Sequence, residues 1–239
     1  MTDDERIKYI NTTMDTYLTD GTLKQVVADG YVLVERTTES GVRLGIVGLI
    51  DLDDYDFDPK KKTLIRVTEG TVISRIPPRV KIRENAAIEL PHVMLLVDDP
   101  IDRQKIDGCQ GATQEDAANI AAVKHGIIEY EYAIRDTLRK LYDTDLMQGG
   151  GHIRGYAIEG EAAKQVTEAF AAKQNSCGGF LFAVGDGNHS LATAKTCWEN
   201  IKKSGKFTEE QLKTHPARHA LEEICNLHSE SLEFKPIHR

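Results

Sequence analysis

The 239-residue sequence has no long apolar run and no excess of positive charge. Its longest uninterrupted apolar stretch is the seven residues from Leu44 to Ile50, whereas a membrane-spanning helix needs about 20. Lys and Arg number 30 against 38 Asp and Glu, so the net charge is -8 and no global basic field attracts nucleic acid or an anionic membrane. The sequence therefore predicts a protein that binds neither, and any anion must bind at a local site.

Cysteine is also scarce, and its spacing excludes the common zinc and redox motifs. The 4 cysteines, Cys109, Cys177, Cys197 and Cys225, lie 68, 20 and 28 residues apart, so no Cys-x-x-Cys pair is present. The acidic amino terminus has no apolar stretch behind it, which is the opposite of a secretory signal. We therefore predict a cytoplasmic protein whose thiols are reduced.

The composition is that of a folded protein in which helices and strands are mixed. Hydrophobic residues make up 40% of the chain and charged residues 28%, which is enough to bury a core. The hydrophobic periodicities predict an α+β fold, a mixed sheet flanked by helices, in one unit spanning residues 1–239. Helices are expected at 3–18, 161–173 and 189–203 and in the helix-compatible segment 115–142, with strands at 31–36, 42–50, 63–68, 93–97, 152–158 and 180–184. A region at 216–225 opens with Pro216, and a final strand runs toward Ile237.

The most informative segment is a glycine-rich turn between the apolar run 180–184 and the helical pattern that follows it. The turn reads Gly185-Asp-Gly-Asn-His-Ser190. Such a turn exposes unpaired backbone N–H groups at the positive end of the helix dipole, and Gly187 has no side chain to keep an anion away. The pattern predicts a phosphate site, although it is neither a Walker loop nor a G-x-G-x-x-G fingerprint, and the protein-kinase signature set is absent.

The polar residues of this turn have two interpretations. In the first, Asn188 and Ser190 bind phosphate oxygens or cap the helix, while His189 donates to the phosphate or shuttles a proton. In the second, the turn is only a capped helix start, and Asp186 and Asn188 serve the turn alone. The residues by themselves favour neither interpretation.

A second candidate is the basic segment that follows Glu69 and its neighbouring glycine. Arg79, Lys81 and Arg83 alternate with apolar residues, so at strand period the three cations share one face. Together with Arg75, this ridge suits a bidentate clamp on phosphate or carboxylate, but a solvated edge strand protected by its charges predicts the same pattern. Glu69 itself is either a general base or a solvated capping residue.

Further candidates are weaker. His92 precedes a buried run and suits either acid–base chemistry or a core hydrogen bond. The Asp98-Asp99 pair that ends the run suits either Mg²⁺ or an ordinary turn. After the glycine triplet 149–151, His152 and Arg154 share one strand face and would point at a ligand, unless the triplet is only a flexible connector.

A zinc site has one weak candidate. His215 and His219 stand four residues apart and Glu222 three further on, so the three would share a helical face and hold Zn²⁺. The general-base Glu of H-E-x-x-H is missing, and no zinc is expected.

Several long motifs resemble a bacterial family called domain of unknown function ten-fifteen. The resemblance rests on segments 68–85, 89–92, 141–146, 149–155 and 182–195 and covers nearly the whole chain. It implies that this chain is a fragment of a longer protein. Asp186-Gly-Asn-His-Ser190 also resembles the phosphate-binding turn of the ParB and sulfiredoxin superfamily, which includes free-serine kinases. Ser190 stands where that turn usually carries Arg, so a phosphate contact like that of the superfamily would require Arg75, Arg79 or Arg154 to replace it from elsewhere in the fold.

The residues and the resemblance together support one leading hypothesis and one rival. The leading hypothesis is an enzyme that transfers a phosphoryl group from ATP or ADP, with Mg²⁺, to a small hydroxylated metabolite, as a free-serine kinase does. The rival is a non-catalytic regulatory module that binds a nucleotide or another small anion. The predicted catalytic residues are Glu69, His92, Asp186 and His189, and the predicted phosphate and substrate ligands are Arg75, Arg79, Arg83, His152, Arg154, Gly187, Asn188 and Ser190.

Overall fold

The computed structural model describes residues 1–89, 93–101 and 126–232. The chain divides into two compact units. The first unit comprises Met1–Val26, Leu49–Met94 and Ala183–Glu222, and the second comprises Val27–Gly48, Leu95–Phe182 and Glu223–Arg239. Each unit is therefore assembled from segments that are distant in sequence.

The described residues contain six α-helices and nine strands. The helices are α1 Asp3–Thr19, α2 Ile76–Arg83, α3 Ile127–Ala133, α4 Gly160–Ser176, α5 Asn188–Lys203 and α6 Glu209–Lys213. The strands are β1 Gly30–Thr38, β2 Gly41–Asp51, β3 Tyr55–Asp56, β4 Ile65–Val67, β5 Met94–Val97, β6 Arg139–Asp145, β7 His152–Glu159, β8 Phe182–Asp186 and β9 His219–Asn226. The α+β prediction is thus confirmed.

In the second unit an antiparallel arrangement is built around β1. This strand pairs with β2 through a hairpin and with β7 on its other side, and β7 pairs with β6, so the order is β2-β1-β7-β6. The register places Val34 opposite Gly45 on one side and Gly155 on the other. Leu33, Ile46 and Ile158 are fully buried and supply the hydrophobic core along these strands.

In the first unit parallel pairing brings β3 beside β4, and β8 is the next strand in that order. The pairing is therefore parallel here and antiparallel in the second unit, which confirms the mixed sheet. Helix α5 packs against α2, and its buried face carries Leu191 and Trp198. Fully buried Val184 ends the apolar run of β8, so the glycine turn that follows starts from a fixed position.

The structure corrects the prediction that residues 79–83 form a strand. They lie in helix α2, which follows a 3₁₀ turn at Ile73–Arg75. Pro77 and Pro78 occupy the first turn of α2, where the fixed φ of proline suits a helix and its missing N–H is not needed. Arg79 and Lys81 therefore do not share a face, because a helix places on one side residues that are three or four apart.

Two other predictions were wrong in part or in whole. Of the expected helix at 115–142, residues 115–125 lie outside the described residues, 127–133 form helix α3 as expected, and 139–142 belong to strand β6. The segment at 219–226 is strand β9 after a 3₁₀ turn at Pro216–Arg218, so His215, His219 and Glu222 do not lie on one helical face. The expected strand toward Ile237 lies outside the described residues. Among the helices that the structure describes, none has the length and apolar character needed to span a membrane.

Candidate functional site

The glycine turn joins β8 to α5 and leaves the start of that helix open. Gly187 is the N-cap residue with a φ of 87°, a left-handed conformation that glycine adopts without strain, and no side chain caps the helix. Asp186 accepts the N–H of Gly187 at 2.7 Å, and Ser190 donates its N–H to the carbonyl of Gly187 at 2.9 Å. The N–H groups of Asn188 and His189 have no intrahelical acceptor, because the first residues of any helix lack one.

A buried amide stands at the first residue of the helix. Asn188 is only 4% exposed, and its Oδ1 has no hydrogen-bond partner among the residues that the structure describes. A buried polar atom without a partner costs about 1–3 kcal/mol, so such atoms are rare outside sites that bind water or a ligand. The unsatisfied oxygen is therefore a second feature of this helix start, and it would accept a hydrogen bond from water or from a polar ligand.

A loop from the same unit is hydrogen-bonded to both sides of the turn. Thr68 donates its hydroxyl to the carbonyl of Val184 at 2.6 Å, and Val72 donates its N–H to Nε2 of His189 at 3.1 Å. The segment between these two bonds, residues 69–71, includes the candidate base Glu69 and is therefore tethered at both ends to the residues around the turn. The hydrogen bond between Val72 and His189 joins residues that are 117 positions apart in sequence.

The bond from Val72 fixes the role of His189. A ring nitrogen that accepts a hydrogen bond carries no proton, so a neutral His189 holds its proton on Nδ1. The imidazole thus holds Val72 with Nε2, and within the described part of the chain its Nδ1 has no hydrogen-bond acceptor.

We expect His189→Ala to release this loop while leaving the helix folded. The amide of Val72 would lose its acceptor, and its hydrogen exchange would accelerate roughly tenfold because local opening no longer breaks a bond. Exchange measured by NMR at Val72 tests this, with the amide of Leu191, bonded inside the helix start, as the internal reference. Unchanged exchange at Val72 would contradict the assigned contact.

The basic residues of the first unit are only partly available to a ligand. Arg79 donates to the carbonyl of Arg75 at 2.9 Å and is exposed, as is Arg75. Arg83 forms an ion pair with Glu89 at 2.5 Å and is committed to that carboxylate. Since α2 packs against α5, Arg75 and Arg79 are carried by elements next to the turn's own helix. They are the remaining candidates for charge neutralisation.

The structure places His152 and Arg154 in the second unit, within a charged cluster on β6 and β7. His152 contacts Asp143 through Nε2 and Asp145 through Nδ1, both at 2.7 Å. Arg154 donates to Asp143 at 3.2 Å and to buried Glu35 at 2.8 Å. These two predicted phosphate ligands are already paired with carboxylates. His92 lies outside the described residues, and Asp98 of the second unit pairs with His228 at 2.7 Å.

The hydrogen bonds of His152 with Asp143 and Asp145 make a pH-dependent contribution to the stability of the fold. Hydrogen bonds to Asp145 and then to Asp143 raise the pKa of His152, since both carboxylates favour the imidazolium. The contribution is fully present below the unfolded value of about 6.5 and is lost as pH rises through the raised pKa. We expect an NMR titration to give His152 a pKa above 6.5, and Asp145→Asn to lower it. A value at or below 6.5 in the native protein would contradict this assignment.

Sequence reasoning missed Thr68 and Val72, which tie the loop to the turn. Val72 acts through its backbone N–H, and no side-chain pattern signals such a contact. Thr68 ends the predicted strand 63–68, and a hydroxyl at a strand end is a weak signal that any turn shares.

A model of the family described as "Protein of unknown function (DUF1015)" matches residues 1–139 and 127–239, which together span the chain. Comparisons with curated proteins and with solved structures found no match. The family description assigns no activity, so the function has to be argued from the geometry of the site.

Proposed function

Because the chain belongs to the DUF1015 family, whose description assigns no activity, we propose a function from the geometry of the first unit. We propose that the protein transfers a phosphoryl group from a nucleotide to a small hydroxylated metabolite. The observation that carries this proposal is the pair of hydrogen bonds, Thr68 to Val184 and Val72 to His189. They tether both ends of the loop that bears Glu69 to the residues around an open helix start.

The open helix start is the proposed phosphate site. The N–H groups of Asn188 and His189 would donate to phosphate oxygens, and the αL backbone at Gly187 allows close approach. The atom of Asn188 that lacks a partner is Oδ1, an acceptor, so the side chain would donate to the phosphate through its NH₂ after rotation of the amide by 180°. Asp186 uses Oδ1 on Gly187, and its second oxygen suits the Mg²⁺ that a nucleotide carries as part of the substrate.

Glu69 is the proposed general base. In the transfer step, the acceptor hydroxyl oxygen forms a bond to the terminal phosphorus while the bond from that phosphorus to the bridging oxygen breaks. The hydroxyl proton goes to the Glu69 carboxylate, and the bridging oxygen leaves with the nucleotide. Arg75 and Arg79 are exposed cations that would neutralise charge on the transferring group.

A second candidate is the non-catalytic module that binds a nucleotide or anion. The observation that favours it is the structural use of two predicted catalytic side chains, because Asp186 holds Gly187 and His189 holds Val72. Such a module needs the same open helix start but no base.

One experiment on the purified full chain distinguishes the two proposed functions. We expect Mg·ATP or Mg·ADP to raise the melting temperature, since a ligand at 100 times its Kd stabilises a fold by about 2.7 kcal/mol, and adenosine to have no effect. ³¹P NMR with free serine and other small hydroxylated metabolites then detects transfer. Binding with transfer supports the kinase, and binding without transfer supports the module. If neither nucleotide binds, the kinase is contradicted, and only a module that binds a different small anion remains.

A further inference from the structure

Little apolar burial holds the loop of residues 69–71 in place. A Cβ at Gly70 would meet nothing within 4 Å, so the loop has open space at this position. The next two side chains, Val72 and Ile73, are large and apolar but 45% and 61% exposed. A segment with so few buried contacts opens locally at small cost, and its docking therefore depends on the two hydrogen bonds that tether it.

Docking of this loop also leaves a polar group unsatisfied. The hydroxyl oxygen of Thr71 is buried and has no hydrogen-bond partner among the residues that the structure describes. A buried hydroxyl without a partner costs free energy, and water supplies the missing hydrogen bond when the hydroxyl is exposed. This cost offsets part of what the two tethers contribute, so the loss of one tether favours the released loop.

The tether at Val72 requires a neutral imidazole. Nε2 of His189 accepts the N–H of Val72 at 3.1 Å, whereas an imidazolium carries a proton on both ring nitrogens and accepts no hydrogen bond. After protonation two N–H groups would face each other, and the Val72 amide would lose this partner. Histidine is the side chain that ordinarily changes charge between about pH 5 and pH 8.

Charged groups of both signs lie on the elements around His189. They are Glu69 on the loop, Asp186 in the turn, Arg66 on β4, Arg75 and Arg79 at the start of α2, and Lys195 on α5. Carboxylates favour the protonated ring and cations oppose it. The test therefore leaves all six of these side chains unchanged.

We infer that His189 is an acid-sensitive latch, a side chain that holds the loop bearing Glu69 only while its imidazole is neutral. Uptake of a proton releases Val72, the hydroxyl of Thr71 gains water, and the tether at Thr68 remains. The latch itself rests on these contacts alone. Its consequence for catalysis, the loss of turnover when Glu69 leaves the turn, rests on the proposed function.

NMR of the full chain between about pH 8 and pH 5 tests the latch without any substrate. The ¹⁵N shifts of the imidazole follow its protonation, and a scalar coupling joins the Val72 nitrogen to Nε2 of His189 only while the hydrogen bond exists. As His189 takes up its proton, we expect this coupling to vanish. The protection of the Val72 N–H, measured relative to its intrinsic exchange rate, should fall roughly tenfold. Leu191, whose N–H bonds to Gly187 at the start of α5, should keep its protection.

Three variants separate the latch from a general effect of acid. His189→Gln supplies an amide oxygen that accepts a hydrogen bond but does not titrate, so Val72 should stay protected across the range. Thr71→Val removes the unsatisfied hydroxyl at nearly the same shape, so Val72 should be several-fold better protected near pH 8. His228→Gln is the matched control, because it removes a half-exposed histidine of the second unit and should leave the response of Val72 unchanged.

The inference would be overturned by equal protection of Val72 before and after His189 is protonated, or by a His189 that keeps one charge state throughout this pH range. A full acid response of Val72 in His189→Gln would overturn it as well. None of these outcomes depends on phosphoryl transfer. A latch that responds as expected in a protein that transfers no phosphate would contradict the proposed kinase and leave this inference standing.

Discussion

Replacing Asp99 with alanine is expected to lower the free energy of unfolding by about 3–5 kcal/mol. Asp99 is fully buried in the second unit. Its Oδ2 accepts the N–H of Ile127 at 2.7 Å, and Lys173 lies 3.0 Å from its Oδ1. One carboxylate therefore anchors the start of α3 and the last turn of α4.

The expected loss of unfolding free energy is large because Lys173 and the N–H of Ile127 remain in the protein without the carboxylate that they contact. Lys173 is 13% exposed, so removing its carboxylate leaves an ammonium largely out of water without its counter-charge. The buried N–H of Ile127 also loses its acceptor. Asp99→Asn keeps an oxygen for Ile127 and removes only the charge, so its effect should be smaller than that of alanine.

Equilibrium unfolding in urea measures the difference. The neighbouring residue provides a matched control, because the Asp98 side chain is 78% exposed and, among the described residues, is hydrogen-bonded to the half-exposed His228. Asp98→Ala should change the free energy of unfolding by no more than about 0.5 kcal/mol. A loss below about 1 kcal/mol in Asp99→Ala would show that the buried pair contributes less than its geometry implies.

The elements that were predicted well are those whose own sequence carries a burial pattern or a capping signal. The hairpin β1–β2 and helix α5 carry apolar residues at strand and helix period, so each pattern identifies the buried face. Asp3–Thr19 forms α1 because Thr2 and Glu5 make a capping box, and acidic residues fill the first turn.

Strand β6 shows why other elements were missed. Six of its seven residues are exposed, and only Leu141 is partly buried. No alternation of apolar and polar residues marks it, and it is a strand because it pairs with β7. The pairing with β7, a tertiary contact, makes this segment a strand, and the periodicity of a single sequence cannot detect such a contact.

The candidate site was predictable only where it is local in sequence. The glycine turn and the helix start are adjacent residues, so their pattern could be recognised. The contact between Val72 and His189 depends on the fold, because it joins distant segments through a backbone N–H. The pairing of Arg83, a predicted phosphate ligand, with Glu89 likewise depends on the fold, and spacing alone does not reveal it.

Replacing Glu69 with glutamine is expected to lower the rate of phosphoryl transfer by about 10²–10⁴-fold while leaving nucleotide affinity within about threefold. Glutamine keeps the size and hydrogen-bonding of the side chain but cannot accept the proton of the acceptor hydroxyl. Because Glu69 lies on the loop and not on the helix start, phosphate contacts at Asn188 and His189 should persist. Turnover followed by ³¹P NMR and affinity from isothermal titration separate the two effects.

Glu168→Gln is the control for this loss of charge. Glu168 is an exposed residue of α4, in the second unit, and neither turnover nor binding should change when it is replaced. If Glu69→Gln transfers phosphate at the native rate, the loop carboxylate is not the base, whatever the nucleotide affinity. If turnover and affinity fall together by the same factor, Glu69 acts in binding the nucleotide complex, since a base confined to the transition state would lower kcat alone.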